Sequence, residues 1–247
     1  MGSQKILKGS ERTELLNALY AKYGEKPGWR QRWTYWRKKY FWLIVVTGAK
    51  LLKRFLDISV SLAVLIVLTP FLLLIALLIK LQDGGPVFYV SSRVGKWGRP
   101  FSFYKFRSMR KDAEQLKDSL LAYNEEKDAV TFKIRKDPRI TSLGQFLRKT
   151  SLDEIPQLWN VLHGDMSLVG PRPHLPREVD LYTLEERRRL DVAPGITGIW
   201  QVSGRSDIPF TKQVQLDLQY IESQSVLLDF LLLLKTIPAV LFGKGAY

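Results

Sequence analysis

The longest apolar pattern in the chain is ISVSLAVLIVLTPFLLLIALLI, residues 58–79, which carries no charged side chain. As one helix it would reach roughly 33 Å, enough for a bilayer core. Pro70 follows Thr69 near its middle. Proline lacks a helix donor and crowds the preceding turn, so a bend is predicted there, with the Thr69 hydroxyl able to serve a freed carbonyl. Cations lie on both flanks: Lys50, Lys53 and Arg54 before the run, Lys80, Arg93, Lys96, Arg99, Lys105 and Arg107 after it. The positive-inside tendency keeps both flanks in the cytoplasm. These residues leave two arrangements open, a spanning helix and a re-entrant one that dips in, turns at Pro70 and returns. The run starts far from the N-terminus and lacks a small-residue cleavage site, which argues against a secretory signal.

Beyond Gly84-Gly85-Pro86 the period falls to two. The alternation predicts a β-hairpin of Val87–Arg93 and Phe101–Phe106 around Gly95 and Gly98. Residues 112–129 read as a polar, solvated helix, and 131–140 as a short strand entering a turn at Asp137-Pro138. SLGQFLRKT and SLDEIPQLWNVLHG have helical spacing. TLEERRRLDV is another helix, ended by Pro194-Gly195. DIPFTKQVQLDLQYIESQ is amphipathic, with Val214, Leu218 and Ile221 on one side. The apolar tail VLLDFLLLLKTIPAVLF is interrupted by Asp229, Lys235 and Pro238, which suits an interfacial helix or docking on the membrane segment. Upstream, residues 11–24 read as a short helix ended by Gly24. Residues 29–46 interleave Trp, Tyr, Arg and Lys, with no acid between Lys26 and Leu56. That mixture favours the headgroup layer over single-stranded nucleic acid, because a long apolar run lies beside it.

Composition narrows the partners. The chain has 38 basic and 24 acidic residues, a formal net charge of +14, and 46% hydrophobic residues. The charge predicts an anionic partner: nucleic acid, an acidic lipid surface or a phosphorylated substrate. With no cysteine, disulfides and Cys-ligated metals are excluded. There is no GxGxxG or GxxxxGK[ST], so neither a dinucleotide site nor a P-loop is supported.

The chemistry concentrates in SLDEIPQLWNVLHGDMSLVGPRP, residues 151–173. Two readings of Asp153-Glu154 compete. Ser151-Leu152-Asp153-Glu154 matches a capping box, which would give both acids a merely structural role at a helix start. Alternatively, adjacent helical positions point about 100° apart, so one carboxylate could attack while the other holds a metal. Carboxylates with substrate phosphates are the usual Mg2+ environment, and an aspartate can attack phosphorus. Lys105, Arg107, Arg135, Arg139, Arg148, Arg172 and Arg205 supply cations for a diphosphate. Of these, Arg107 has Asp112 and Glu114 as alternative partners, and Arg135 and Arg139 also suit a solvated surface. The two histidines do not make a zinc site. His163 follows a helix, and His174 beside the Pro-Arg-Pro turn is a candidate substrate contact.

Together, KRFLDISVSLAVLIVLTP, GGPVFY, GKWGRPFSFYKFRSM, DPRITSLGQFLRKTSLDEIPQLWNVLHGDMSLVGPRP, PGITGIWQVSGRSD and LLLKTIPAVL resemble the bacterial sugar transferase family, the monotopic phosphoglycosyl transferases. GPRPHLPRE and WQVSGRSDI are similar to undecaprenyl-phosphate galactose or glucose phosphotransferases. The resemblance implies an α+β, mostly helical monotopic membrane protein with a re-entrant helix, interfacial amphipathic helices and a small β-hairpin. On that basis residues 1–49 form a basic-aromatic interfacial segment, 50–82 the re-entrant helix bent at Thr69-Pro70, and 83–247 the catalytic domain with an apolar C-terminal helix. A Ser-Pro pair is common in the family where Thr69-Pro70 stands here.

The implied reaction moves hexose-1-phosphate from a UDP-sugar to polyprenyl phosphate and releases UMP. Asp153 matches the nucleophile and Glu154 the Mg2+-associated residue. Lys105, Arg148, Arg172 and Arg205 match phosphate-binding positions. Arg107, His174 and Gln201 are further candidate substrate contacts. The implied location is the cytoplasmic face of the bacterial inner membrane, with anionic lipids and a second copy of the chain as candidate partners and no nucleic acid. A membrane-tethered binding protein and a lipid-phosphate hydrolase remain rival functions.

Overall fold

The structure is a computed structural model that describes residues 13–14, 17–18, 28–116, 134 and 137–242. The expected 11–24 helix, 112–129 helix and 131–140 strand fall mostly outside the described residues, as does Arg135. The chain forms two compact units, Met1–Lys50 and Leu51–Tyr247. Helix α1 is Trp29–Asp83, with Pro70 inside it. Among the described residues it is the one helix long and apolar enough to cross a membrane.

In the second unit, α1 buries a single stripe. Asp57, Ser61, Ile75 and Ile79 are buried, with Val64, Leu65, Leu72 and Ala76 half-buried between them. Steps of three and four residues keep these positions on one face. The remaining surface is apolar and exposed, Val67 by 74% and Leu81 by 72%. The stripe passes through Pro70, whose ring lies on the exposed face. Pro70 is therefore accommodated within helix and does not separate two helices. Thr69 Oγ1 donates to the Leu65 carbonyl at 2.7 Å, one position before the Ile66 carbonyl that proline frees.

The hairpin forms as the alternation predicts, with the first strand shifted one residue at both ends and the second starting one residue earlier. β1 (Phe88–Val94) pairs antiparallel with β2 (Pro100–Phe106), Phe88 opposite Phe106. Trp97 and Gly98 close it with φ of 57° and 76°. Phe103 enters one core, with Leu158, Val161, Met166, Val169, Tyr220 and Leu232. Phe106, on the opposite face of β2, enters another with Ile75, Ile79 and Leu147. A third holds Val94, Val179, Tyr182, Phe210, Val214 and Leu218.

Helix α2 (Ser142–Lys149) is capped by Thr141, whose hydroxyl accepts from Gly144 N at 2.9 Å. A Cβ on Gly144 would lie 1.9 Å from the Ser108 carbonyl oxygen, so glycine allows α2 to rest on that backbone. A single 3₁₀ turn, Leu152–Glu154, leads to α3 (Gln157–His163), closed by Gly164 at φ 97°.

Two three-residue strands then pair in parallel: β3 (Ser167–Val169) with β4 (Gly195–Thr197). No sequence period announced them. Between them lie α4 (Pro176–Asp180), α5 (Leu184–Arg187) and a 3₁₀ turn, Arg188–Asp191. The single helix expected over 183–192 thus splits, although Thr183 and Glu186 do form its capping box. The chain ends in α6 (Ile199–Ser203), α7 (Phe210–Ser223) and α8 (Val226–Phe242). Val214 and Leu218 of α7 are buried and Ile221 is half-buried, as its amphipathic spacing predicts.

Candidate active site

The turn before α3 sets the two acids. Ser151 sits in the left-handed region at φ 55° and makes no side-chain cap. The capping-box reading is thereby overturned. The Glu154 carboxylate meets cations from distant elements. Lys105 Nζ, from β2, lies 2.6 Å from Glu154 Oε1 and 3.7 Å from Asp153 Oδ2. Arg172 Nη2 reaches the same Oε1 at 2.9 Å. Lys105 occupies this position because β2 alternation puts it on the face of Phe103, whose ring its ammonium approaches at 5.6 Å.

Arg172 follows β3 in a tightly held loop. Gly170 N donates to Thr197 O at 2.9 Å, and Gly195 N donates to Pro171 O at 2.8 Å. A Cβ on Gly195 would lie 2.0 Å from Gly170 N, so that close approach requires glycine. Arg93 Nη1 donates to Pro173 O at 3.3 Å. Arg148 projects from α2 and donates through Nε to Ser108 Oγ at 2.9 Å. Arg205 lies in a 3₁₀ turn at φ 53°. Among the described non-glycine residues only Trp97, Ser151 and Arg205 have positive φ, and two of the three belong to this region.

The electrostatics separate the two acids. Burial pushes the Asp153 carboxyl above its ordinary value; Lys105 draws it back down, while Glu154 beside it adds repulsion. Burial also acts on Glu154, but Arg172 and Lys105 outweigh it and hold that carboxyl well below the carboxylate range. Arg148 and Arg205 are lowered by burial, and both acids pull each guanidinium back up. The site therefore pairs one firmly ionised carboxylate with one poorly solvated carboxylate, ringed by cations. Two adjacent carboxylates suit Mg2+, which takes one or two such ligands and completes its shell with water and substrate phosphate. Among the described residues no cluster of three metal-ligating side chains exists, so an all-protein cage is not offered.

Helix α1 fastens this segment from behind. Arg54 donates to the Val161 and Leu162 carbonyls at 2.5 and 2.8 Å, closing the end of α3. Asp57 Oδ1 accepts from Leu168 N at 3.0 Å. Lys53 pairs with Asp229 at 2.6 Å and donates to Val169 O at 3.1 Å. The Tyr220 hydroxyl lies 2.7 Å from Asp229 Oδ1 and 3.0 Å from Val169 O and can donate its one proton to either.

The structure thus brings Asp153, Glu154, Lys105 and Arg172 into direct contact, with Arg148 and Arg205 in their field. Arg107 is elsewhere: it pairs with Asp83 at the end of α1, not with Asp112 or Glu114. Arg110 takes Asp112 instead. Arg139 is not solvated surface but buried against Asp137 at 2.6 Å. His174 lies in the third core, 3.3 Å from Arg189 Nη2, and burial lowers its pKa well below normal, leaving it neutral. Gln201, on α6, has both amide atoms buried with no hydrogen bond among the described residues. His163 ends α3 against Trp159. Sequence reading missed Arg93, which sits in the field of Arg172 and Glu154. The two-residue period of β1 was the available signal, since it turns Arg93 toward Phe103, 5.4 Å from the ring.

Comparison with known proteins identifies the family. The sequence profile of the bacterial sugar transferase family matches residues 48–243. The galactosyl transferase CpsE of Streptococcus agalactiae is 49% identical over 195 residues, 78% of this chain and 43% of that protein. The exopolysaccharide production protein ExoY of Sinorhizobium fredii is 41% identical over 200 residues, covering 79% of this chain and 88% of that one. The undecaprenyl-phosphate galactose phosphotransferase of Salmonella typhimurium is 45% identical over 207 residues, 81% of this chain and 42% of that enzyme. The chain therefore spans less than half the length of two of these relatives and most of the third. With its profile match covering well over half its length, the chain belongs to the bacterial sugar transferase family, the phosphoglycosyl transferases.

Proposed function

We propose that the protein transfers hexose-1-phosphate from a UDP-sugar, galactose or glucose, to a polyprenyl phosphate such as undecaprenyl phosphate, through a covalent intermediate on Asp153. The observation that carries this reading is the division of labour between two adjacent acids. Glu154 is neutralised by Lys105 and Arg172, while Asp153 is buried with Lys105 no closer than 3.7 Å.

In the first step an Asp153 carboxylate oxygen attacks the β-phosphorus of the donor. The bond from that phosphorus to the bridging oxygen breaks, and UMP departs with the electron pair. Asp153 then carries the hexose phosphate as a mixed anhydride. In the second step a phosphate oxygen of the lipid attacks the same phosphorus, frees Asp153 and leaves a polyprenyl-diphosphate sugar. Lys105, Arg172, Arg148 and Arg205 orient the phosphates and offset the developing charge. Glu154 would hold Mg2+, which would supply further charge neutralisation at the diphosphate.

The docking of α1 supports a re-entrant topology. Lys53, Arg54 and Asp57 at one end of the apolar run, and Ile75, Ile79 and Asp83 at the other, all contact the same catalytic unit. A perpendicular crossing would draw the charged surface of that unit into the bilayer. Docking of both ends on one unit supports a re-entrant course for α1 on the cytoplasmic face, with α8 along the interface and the site within reach of a lipid phosphate.

The test is incubation with UDP-hexoses, Mg2+ and polyprenyl phosphate, with UMP and lipid-linked sugar both measured. Both products should appear together. UMP release without lipid product would favour hydrolysis, and persistent release by Asp153→Asn would remove the nucleophile assignment.

A further inference from the structure

The residues ahead of the matched family region carry a surface that the chemistry does not use. Within the first unit, Trp29, Trp33, Trp36 and Tyr40 recur along α1 at steps of three and four, and Leu43 and Ile44 continue the same stripe. At 100° per residue these side chains share one face. Arg30 and Arg37 border it on one side, Arg32 and Lys39 on the other.

Three of these cations lie over rings of the stripe. Arg30 is 5.4 Å from the Trp29 ring, Arg37 5.1 Å from Trp33, and Lys39 4.8 Å from Trp36. Trp36 and Tyr40 stack at 5.7 Å. The aromatic rings are nonetheless open, Trp29 by 74% and Trp33 by 60%. Beyond the stripe, Phe41 and Trp42 are also exposed, so the segment becomes apolar all round as it approaches the 58–79 run.

We infer that residues 29–46 form a binding surface for anionic phospholipid. Rings with a polar edge settle at the headgroup level, and a cation beside each ring meets a phosphate at that depth. Residues 29–46 hold five cations, Arg30, Arg32, Arg37, Lys38 and Lys39, and no acid. A second copy would bring a like-charged surface against it, which opposes self-association. In sequence the segment leads directly to the uncharged run 58–79, which favours a lipid surface over nucleic acid as its partner. The inference stands independently of the transfer chemistry.

The test uses the full-length chain in nanodiscs of equimolar phosphatidylglycerol and phosphatidylcholine, with bromine on the acyl chains of one lipid or the other. Subtracting the quenching of a chain carrying Trp29, Trp33, Trp36 and Trp42 as Phe isolates the segment. Brominated phosphatidylglycerol should quench about twice as strongly as the brominated neutral lipid. That preference should vanish at high salt in the unaltered chain. It should also vanish in R30Q/R32Q/R37Q/K38Q/K39Q, while UMP release is retained. Equal quenching by the two lipids, or a preference that survives both high salt and charge removal, would overturn the inference. So would release of the segment from lipid by single-stranded oligonucleotide at physiological salt. Absence of lipid quenching together with cross-linking between copies at this stripe would overturn it as well.

Discussion

Lys105 and Glu154, 49 residues apart in the chain, meet at 2.6 Å where β2 crosses the turn before α3. That contact fixes which acid is neutralised. Lys105 bonds Glu154 closely and only approaches Asp153, so the two neighbouring acids face different chemistry although their sequence environment is shared.

Lys105→Met should leave the fold intact and slow the first step. Glu154 keeps Arg172, but Asp153 loses its nearest cation and the donor loses a phosphate contact. Single-turnover UMP release should fall by about 10²–10³-fold, the usual consequence of deleting one preorganised charge.

Glu154→Gln should weaken metal use without unfolding the chain. The Mg2+ concentration for half-maximal activity should rise at least about tenfold. Mn2+ bound in the presence of UDP, counted by electron paramagnetic resonance, should fall in parallel and gives a readout independent of turnover. An unchanged titration would remove Glu154 from the metal site.

Arg54→Ala strips the bonds that close α3, since Arg54 donates to both the Val161 and Leu162 carbonyls. Loss of these charge-assisted bonds should cost about 1.5–3 kcal/mol, seen as a lower Tm of the full chain in detergent. Asp57→Asn should cost far less, because an amide oxygen can still accept from Leu168 N.

Asp217 supplies a pH signature. It pairs with Arg189 at 2.6 Å, with the Trp200 indole also facing it, and burial pushes its pKa up to about 6. A folded-state pKa above the unfolded value means that the folded chain holds the proton more tightly. The stabilising contribution is therefore full below about pH 4 and is lost as pH rises through about 6. Relative to Asp217→Asn, the parent should lose on the order of 3 kcal/mol across that window. Thermal melts of both chains at stepped pH measure the difference.

Local periodicity carried much of the fold. Alternation in 87–106 specified the hairpin, and the spacing of Val214 and Leu218 specified the buried side of α7. Three-residue strands are too short to show a period, so β3 and β4 emerged only from the glycine-permitted approach of Gly170 and Gly195. Asp153 and Glu154 were legible as reactive acids, but Ser151-x-x-Glu154 was equally legible as a cap. What removed the cap was the left-handed turn at Ser151, and what gathers Lys105 and Arg172 at Glu154 is tertiary packing that no local pattern encodes. The same holds for Arg107, whose partner Asp83 lies across the hairpin base rather than at the nearby acids. Asp229, which interrupts the apolar tail, was legible as a sign of docking and pairs with Lys53 of α1, whereas the bond from Leu168 N to Asp57 had no local signal.

The most direct test of the central claim is intact-protein mass spectrometry of acid-quenched mixtures containing the protein, UDP-hexose and Mg2+ without lipid acceptor. A mass gain of one hexose phosphate is predicted, mapping to peptide 151–159, lost on adding polyprenyl phosphate and absent from Asp153→Asn. Preparations that turn over with the full substrate set yet never show the adduct, or an adduct that persists in Asp153→Asn, would contradict the account.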